Sequence, residues 1–353
     1  MKKKTAACKK VGFGIIGAGA ISTMHARAIQ SLDNVELIGF YDPFVPAAQA
    51  KAKEYGVRAY DRLDDFLKDS AIEAVTIATP SGVHGQMAIA AANAGKHILC
   101  EKPLELTVEK VDAIIEACDR NGVFLESVFQ ARFTKPVQCV KEAIRKGRFG
   151  RMLFASAQMH WFRDAAYYAG SPWRGTWAMD GGGALMNQAI HTIDLLLFIN
   201  GAPKEVFAYA GTKTHSIEVE DNLCAAVTYK NGSFGTIEAS TSCAPGFARR
   251  VTFAGSEGTA AFNEKVLIDW TFTKPMEEDE KIRKELFGET DAGGGSDPLN
   301  MSAAGHALQV KDLADCIRTG RKPVLDGREG RRAVEFICGI YESVRTGRPF
   351  IFE

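Results

Sequence analysis

The sequence has 353 residues, 46% hydrophobic and 24% charged, with 43 basic and 43 acidic side chains in balance. That profile fits a folded protein of about two domains, and a neutral charge without a basic stripe excludes a nucleic-acid binder. No run approaches the roughly 18 apolar residues of a membrane span, so no membrane partner is expected.

The eight cysteines are scattered, with no C-x-x-C and no paired Cys/His spacing. Neither a disulfide framework nor a metal site is expected from them. The opening "MKKKTAACKK" has an apolar run too short for an export signal, so the expected location is the cytoplasm.

The first third alternates strand and helix signals. "VGFGII" (11–16) reads as a buried strand, and "ISTMHARAIQSL" follows at helical spacing. "VELIGFYD" (35–42) is a second strand, followed by a helix ending at Gly56, the short strand "VRAY", and a helix that Asp61 is placed to cap. "AVTIATP" (74–80), "HILCEKP" (97–103) and "VFLESVF" (123–129) are three further strands with helices between them; Thr107 and Gly122 bracket the last helix. Such alternation predicts parallel strands with crossover helices, a doubly wound α/β domain over residues 1–130.

The pattern changes in residues 131–353. A helix ("PVQCVKEAIRKG") and a long strand ("RMLFASAQMHWF") lead to an aromatic loop and then to "GGGALMNQAIHTID" (181–194), read as a helix. From 205 to 270 strands alternate with turns, with a hairpin signal at Asn231–Gly232. This predicts an α+β domain with an open, mostly antiparallel sheet. Residues 274–299, charged and then glycine-rich, read as a mobile excursion or active-site flap, with a solvated helix face in "EEDEKIRKE". Two helices close the chain and are able to pack back on the first domain.

Strand 11–16 runs into "GAGAIS" (17–22), the G-x-G-x-x-G pattern with Ser22 at the third glycine. Gly17 allows the tight turn, and Gly19 lets backbone approach a pyrophosphate resting on the helix N-terminus with Ala20 and Ile21. Asp42 ends the second strand about twenty residues past the motif, where a carboxylate accepts from ribose hydroxyls and repels a 2′-phosphate. No arginine follows it, so NAD is the expected cofactor rather than NADP.

"CEKPL" (100–104) lies at the carboxyl end of the fifth strand, where ligands bind in such sheets. Lys102 there is a candidate to polarise a substrate oxygen, although its position alone is equally that of a solvated turn lysine. Cys100 reads as core. Read as an α-helix, 181–194 puts Asn187, His191 and Asp194 on one face within about 60°. The loop "HWFRDAAYYAGSPWRGTW" (160–177) offers Trp161, Tyr167, Tyr168, Trp173 and Trp177 to stack on sugar faces, and Arg163 and Arg174 for a carboxylate or phosphate. The alternative for this cluster is an interdomain packing loop. Gln130 and Arg132 follow the sixth strand where the domains join.

"GAGAIS", "ATPSGVH" (78–84), "EKPL" and "GGGALMNQAIHTID", in this order and at these separations, resemble the Gfo/Idh/MocA family of NAD(P)-dependent oxidoreductases over essentially the whole chain. The resemblance implies an N-terminal Rossmann domain and a C-terminal domain whose open sheet builds dimers or tetramers. It implies a secondary hydroxyl of a sugar, inositol or sugar derivative as substrate. The family lysine falls on Lys102 and the family histidine on His191. Thr79, Pro80, His84, Glu101 and Gln130 fall in cofactor-side segments, and the Trp173–Arg174 pair lies near the cofactor in related proteins. For His84 the reading as a plain residue at the start of a helix stays open. Where many members carry an aspartate four residues before the histidine, this chain has Asn187. An asparagine cannot take the hydroxyl proton, so the reading makes His191 the general base, with Lys102 and Asn187 holding the reacting oxygen. A neutral Lys102 as base stays open, and Asp194 either fixes the imidazole or bonds another element.

Together with "WRGTW", the helix words resemble the nucleotide-sugar branch of UDP-N-acetylglucosaminuronate 3-dehydrogenase type, with Arg163, Tyr168 and Trp177 on the substrate side. Three alternatives remain: an oxidoreductase of free sugars, inositols or glycosides, a lyase or glycosidase working by transient oxidation, and, least favoured, a non-catalytic NAD-binding regulator.

Overall fold

A computed structural model describes residues 9–263, 265–288 and 303–353. The chain forms two compact units. One comprises residues 1–105, 109–128 and 302–330, the other 106–108, 129–301 and 331–353.

The first unit begins with β1 (Val11–Ile16), α1 (Ser22–Gln30), β2 (Val35–Tyr41), α2 (Val45–Tyr55), β3 (Arg58–Tyr60), α3 (Leu63–Lys68), β4 (Ala74–Ile77), α4 (His84–Asn93), β5 (His97–Cys100), α5 (Val108–Asn121) and β6 (Leu125–Ser127). The six strands are parallel in the order β3-β2-β1-β4-β5-β6. β1 and β4 are buried at every position, as expected of strands covered on both faces. The strand order reverses at β1 and β4, the switch point whose carboxyl end is the usual ligand crevice. α2 stops at Gly56 in the left-handed conformation. Asp61 does not cap α3: the N-cap is Arg62, with no side-chain capping bond. Propensity marked the right neighbourhood, but the chain enters the helix one residue later.

The second unit holds α6 (Lys135–Arg145), β7 (Met152–His160), the short α7 (Ala165–Ala169), a π-helical turn over Ala184–Ala189, α8 (Ile190–Asn200), β8 (Pro203–Gly211), β9 (Asn222–Tyr229), β10 (Phe234–Ser240), β11 (Arg250–Gly255), β12 (Gly258–Phe262), β13 (Leu267–Phe272) and α9 (Glu277–Leu286). After α10 (Ala304–Thr319), which belongs to the first unit, come α11 (Gly327–Thr346) and β14 (Phe350–Ile351). The sheet order is β13-β12-β11-β7-β10-β9-β8-β14. Among the described strands of this sheet only β10 and β7 pair parallel, so it is mixed and mostly antiparallel. β9 alternates buried and outward residues, the pattern of a strand with one covered face.

Residues 277–286 form a helix, not an excursion. Asp279 accepts from Arg148 at 2.7 and 2.8 Å and from Trp270 Nε1 at 2.7 Å, which ties α9 to its unit. The rest of the expected flap, residues 289–299, lies outside the described residues. No disulfide joins any of the described cysteines, and no described helix is long and apolar enough to cross a membrane.

Candidate active site

In the first unit, Gly17 has φ +102°, and a Cβ there would stand 2.5 Å from the Ala78 carbonyl oxygen. Only glycine fits this turn. Gly19 has open space where a Cβ would point and is exposed together with Ala20, as a backbone that receives a pyrophosphate should be. Asp42 is held ready: one carboxylate oxygen accepts from Ala18 N and the other from Phe44 N, both at 2.8 Å. These features fit a dinucleotide without a 2′-phosphate.

His84 is 1% exposed, and its ring lies between two carbonyls, Nδ1 at 2.7 Å from Pro103 O and Nε2 at 2.9 Å from Thr79 O. Burial lowers its pKa against the pull of those carbonyls. Instead of offering a ring nitrogen to a cofactor ribose, His84 ties the loop after β4 to the Lys102 turn.

Glu101 changes role in the same way. Its Oε1 accepts from His25 Nε2 at 3.0 Å and His306 Nε2 at 3.3 Å, and its Oε2 accepts from Lys102 N at 3.2 Å. Burial pushes its pKa up, yet the two histidine bonds outweigh burial and hold it well below the usual carboxylate range. Burial lowers the pKa of His25, so a neutral imidazole donates to an ionised carboxylate. The trio has the composition of a metal-ligand set. However, both Nδ1 atoms are buried without a hydrogen-bond partner, whereas a ligating histidine normally has its second N–H held. A hydrogen-bonded anchor fits these donors better, and it fixes the backbone of Lys102 from α1 and α10.

In the second unit, the three glycines lead into the π turn. A Cβ on Gly182 would lie 2.1 Å from Tyr341 Oη, and one on Gly183 would lie 1.8 Å from the Glu220 carbonyl oxygen. The freed N–H groups at this helix start are satisfied by Glu220, which accepts from Gly183 N at 3.0 Å and Leu185 N at 2.8 Å; Tyr341 Oη donates to it at 3.0 Å. Because a π turn winds more residues than an α turn, Asn187 does not stand in the α-helical phase expected relative to His191. Such turns are frequent at functional sites. His191, 8% exposed, opens α8 with its ring edge-to-face against Phe129 at 5.7 Å. Asp194 bonds another element of the same unit. Arg132 grips it with Nε at 2.8 Å and Nη2 at 2.5 Å, both side chains being buried.

The aromatic loop divides in two. Trp161 is buried, with the Arg163 and Arg249 guanidiniums 5.1 and 5.3 Å from its ring centre, which removes it from the sugar-stacking set. Arg163, 3% exposed, donates to Phe162 O and Gln188 Oε1, so it belongs to the framework and not to an open anion site. Tyr168 donates to or accepts from Thr241 Oγ1 at 2.9 Å, and burial lifts its phenol to about 12. Arg174 lies over the rings of Tyr167 and Trp173 at 4.3 and 5.6 Å. Trp177 stays 48% exposed, with its Nε1 donating to Glu218 O and its ring in T-shaped contact with Tyr341 at 5.4 Å. Gln130 opens a 3-10 turn, and its Oε1 is buried without a hydrogen-bond partner. Asp180, Glu220 and Gln188 were not singled out from the sequence. Asp180 stands directly before the glycines, which was the available signal.

A parallel sheet with a glycine turn and a ribose-side carboxylate, joined in one chain to a histidine-bearing helix on an antiparallel sheet, defines a nicotinamide-dependent oxidoreductase. Residues 11–129 match a family described as "Oxidoreductase family, NAD-binding Rossmann fold", and residues 137–261 match the "GFO/IDH/MocA C-terminal domain". The chain belongs to the Gfo/Idh/MocA family of NAD(P)-dependent oxidoreductases acting on sugar and inositol hydroxyls. It is similar to the WlbA dehydrogenase from Bordetella pertussis, solved in complex with NADH and UDP-GlcNAcA (34% identity, 98% of each chain, TM-score 0.89). The WlbA dehydrogenase from Chromobacterium violaceum, solved with the same ligands, is similar at 30% identity (99% of this chain, 97% of that one, TM-score 0.89). Myo-inositol 2-dehydrogenase of Thermotoga maritima is 26% identical over 328 residues (91% of this chain, 92% of the relative).

Proposed function

We propose that the protein oxidises a secondary ring hydroxyl of a nucleotide-sugar uronate, at C3, with NAD. The observation that carries this reading is the pairing of an NAD-type Asp42 with an Asn187–His191 helix start, in a chain 34% identical to a dehydrogenase bound to NADH and UDP-GlcNAcA. NAD supplies the hydride acceptor. His191 takes the hydroxyl proton, while Lys102 and Asn187 hold the reacting oxygen. Lys102 can do this because the Glu101 anchor and the His84 bridge fix its turn. Tyr168, Trp177 and Gln130 serve the ligands, with Trp173 and Arg174 on the cofactor side. Phe154, Phe234 and Tyr209, exposed on one face of the eight-stranded sheet, support a homodimer or homotetramer.

The test is His191→Ala, assayed for turnover and for NAD binding. The reading expects turnover to fall by roughly two orders of magnitude or more, as loss of a general base does, with NAD affinity within about twofold. Retained turnover would overturn the assignment.

A further inference from the structure

Four side chains of the second unit form one hydrogen-bonded chain. Arg163 Nη2 donates to Gln188 Oε1 at 2.9 Å. Gln188 Nε2 donates to Asn187 Oδ1 at 2.6 Å and to Tyr167 Oη at 2.9 Å. Asn187 Nδ2 donates to Asp180 Oδ1, and Asp180 Oδ2 accepts from Gly175 N at 2.9 Å.

An amide's oxygen and nitrogen have nearly the same shape, so its orientation is decided by its partners. Here the two ends decide. A guanidinium has only donors, and a carboxylate has only acceptors. Turning Gln188 over would set its NH2 against Arg163, and turning Asn187 over would set its oxygen against Asp180. Both ends are buried, Asp180 at 2% and Arg163 at 3% exposure, so water does not readily repair a reversed bond. The sense of the whole chain is therefore fixed before any ligand arrives.

We propose that Asp180 is a positioning residue for the reaction: through this chain it locks the side-chain amide of Asn187 in one sense, so that the substrate meets a single arrangement of its donor and acceptor. This rests on the reading of Asn187 as a group that holds the substrate.

The chain's polarity makes a specific exchange informative. In Asp180→Asn the new amide keeps Gly175 N–H on its oxygen and turns its NH2 toward Asn187, donor against donor. Flipping the amides only moves that mismatch along to Arg163. In Asn187→Asp two carboxylates face each other. In the double variant D180N/N187D every bond can form again with only the 180–187 bond reversed, because the new carboxylate at 187 accepts from both the new amide and Gln188.

The experiment measures melting temperature, kcat, and KM for NAD and for UDP-GlcNAcA on the wild type, both single variants and the double variant. Each single change should lower the melting temperature. Asp180→Asn should lower kcat roughly tenfold, as loss of one positioned hydrogen bond does, with the KM for NAD held within about twofold. The double variant should recover most of the lost melting temperature and turn over faster than either single variant. Additive melting shifts in the double variant, or a wild-type kcat in Asp180→Asn, would overturn the proposal. His191→Ala runs alongside: retained turnover there defeats the reading of the site, whereas the melting cycle judges the chain by itself.

Discussion

Breaking the Arg132–Asp194 pair gives a prediction whose size follows from the structure. Asp194→Asn keeps the side-chain shape but removes the charge opposite a guanidinium that is 4% exposed at its side chain. Arg132 makes two bonds to that carboxylate and lies 4.5 Å over the Phe198 ring, so it has little route to water. Leaving one member of such a pair without the other costs about 3–5 kcal/mol. With a urea slope of about 3 kcal/mol per M for a unit of this size, the unfolding midpoint of the second unit falls by about 1–1.7 M. Replacing both charges in R132M/D194L should recover at least half of that loss, since the unpaired charge is gone. The assay is urea unfolding followed by tryptophan fluorescence. A midpoint shift below about 0.3 M for Asp194→Asn, near 1 kcal/mol, would refute the argument.

Glu126 is fully buried and its carboxyl is raised well above the usual range by burial and by the charge of Asp312. A group whose folded pKa lies above its unfolded one costs stability as pH rises past the unfolded pKa toward the folded one, so Glu126→Gln should stabilise the first unit at pH 7 and change it little at pH 4, read as melting temperature against pH; an equal shift at both would contradict this. Asp42→Ser removes two bonds that shape the cofactor loop and the expected ribose acceptor, and should weaken NAD binding about 10–100-fold while narrowing the preference over NADP, measured by calorimetry; unchanged NAD affinity would count against the loop assignment. Gly183→Ala forces a Cβ to within 1.8 Å of a backbone oxygen that cannot swing aside, so turnover should fall by about 100-fold through displacement of the π turn while NAD still binds; a fall below threefold would show that the turn does not position the site.

The order of strands and helices in the first unit was legible because parallel strands buried on both faces read as continuous apolar runs, and because Gly17 and Asp42 sit where a dinucleotide fold needs them. The second sheet was legible from alternation and from the Asn231–Gly232 turn. What could not be read is long-range pairing between polar groups. Glu101 and His306 are 205 positions apart, and Arg132 and Asp194 are 62 apart; no local period encodes either contact. The π turn was hidden because Asn187 and His191 fit an α-helical spacing in sequence. The inward turn of Trp161, Arg163 and His84 was hidden because residue type gives chemistry but not burial. β14 is two residues long, below what alternation can register.

Mixing the protein with NAD and following NADH formation, separately with UDP-GlcNAcA, myo-inositol, free glucose and a glucoside, decides whether a nucleotide sugar is the substrate. NADH should form with UDP-GlcNAcA, dependent on His191, and not rise above background with the others. NADH formed from inositol or a free sugar while UDP-GlcNAcA gives none would contradict the nucleotide-sugar assignment.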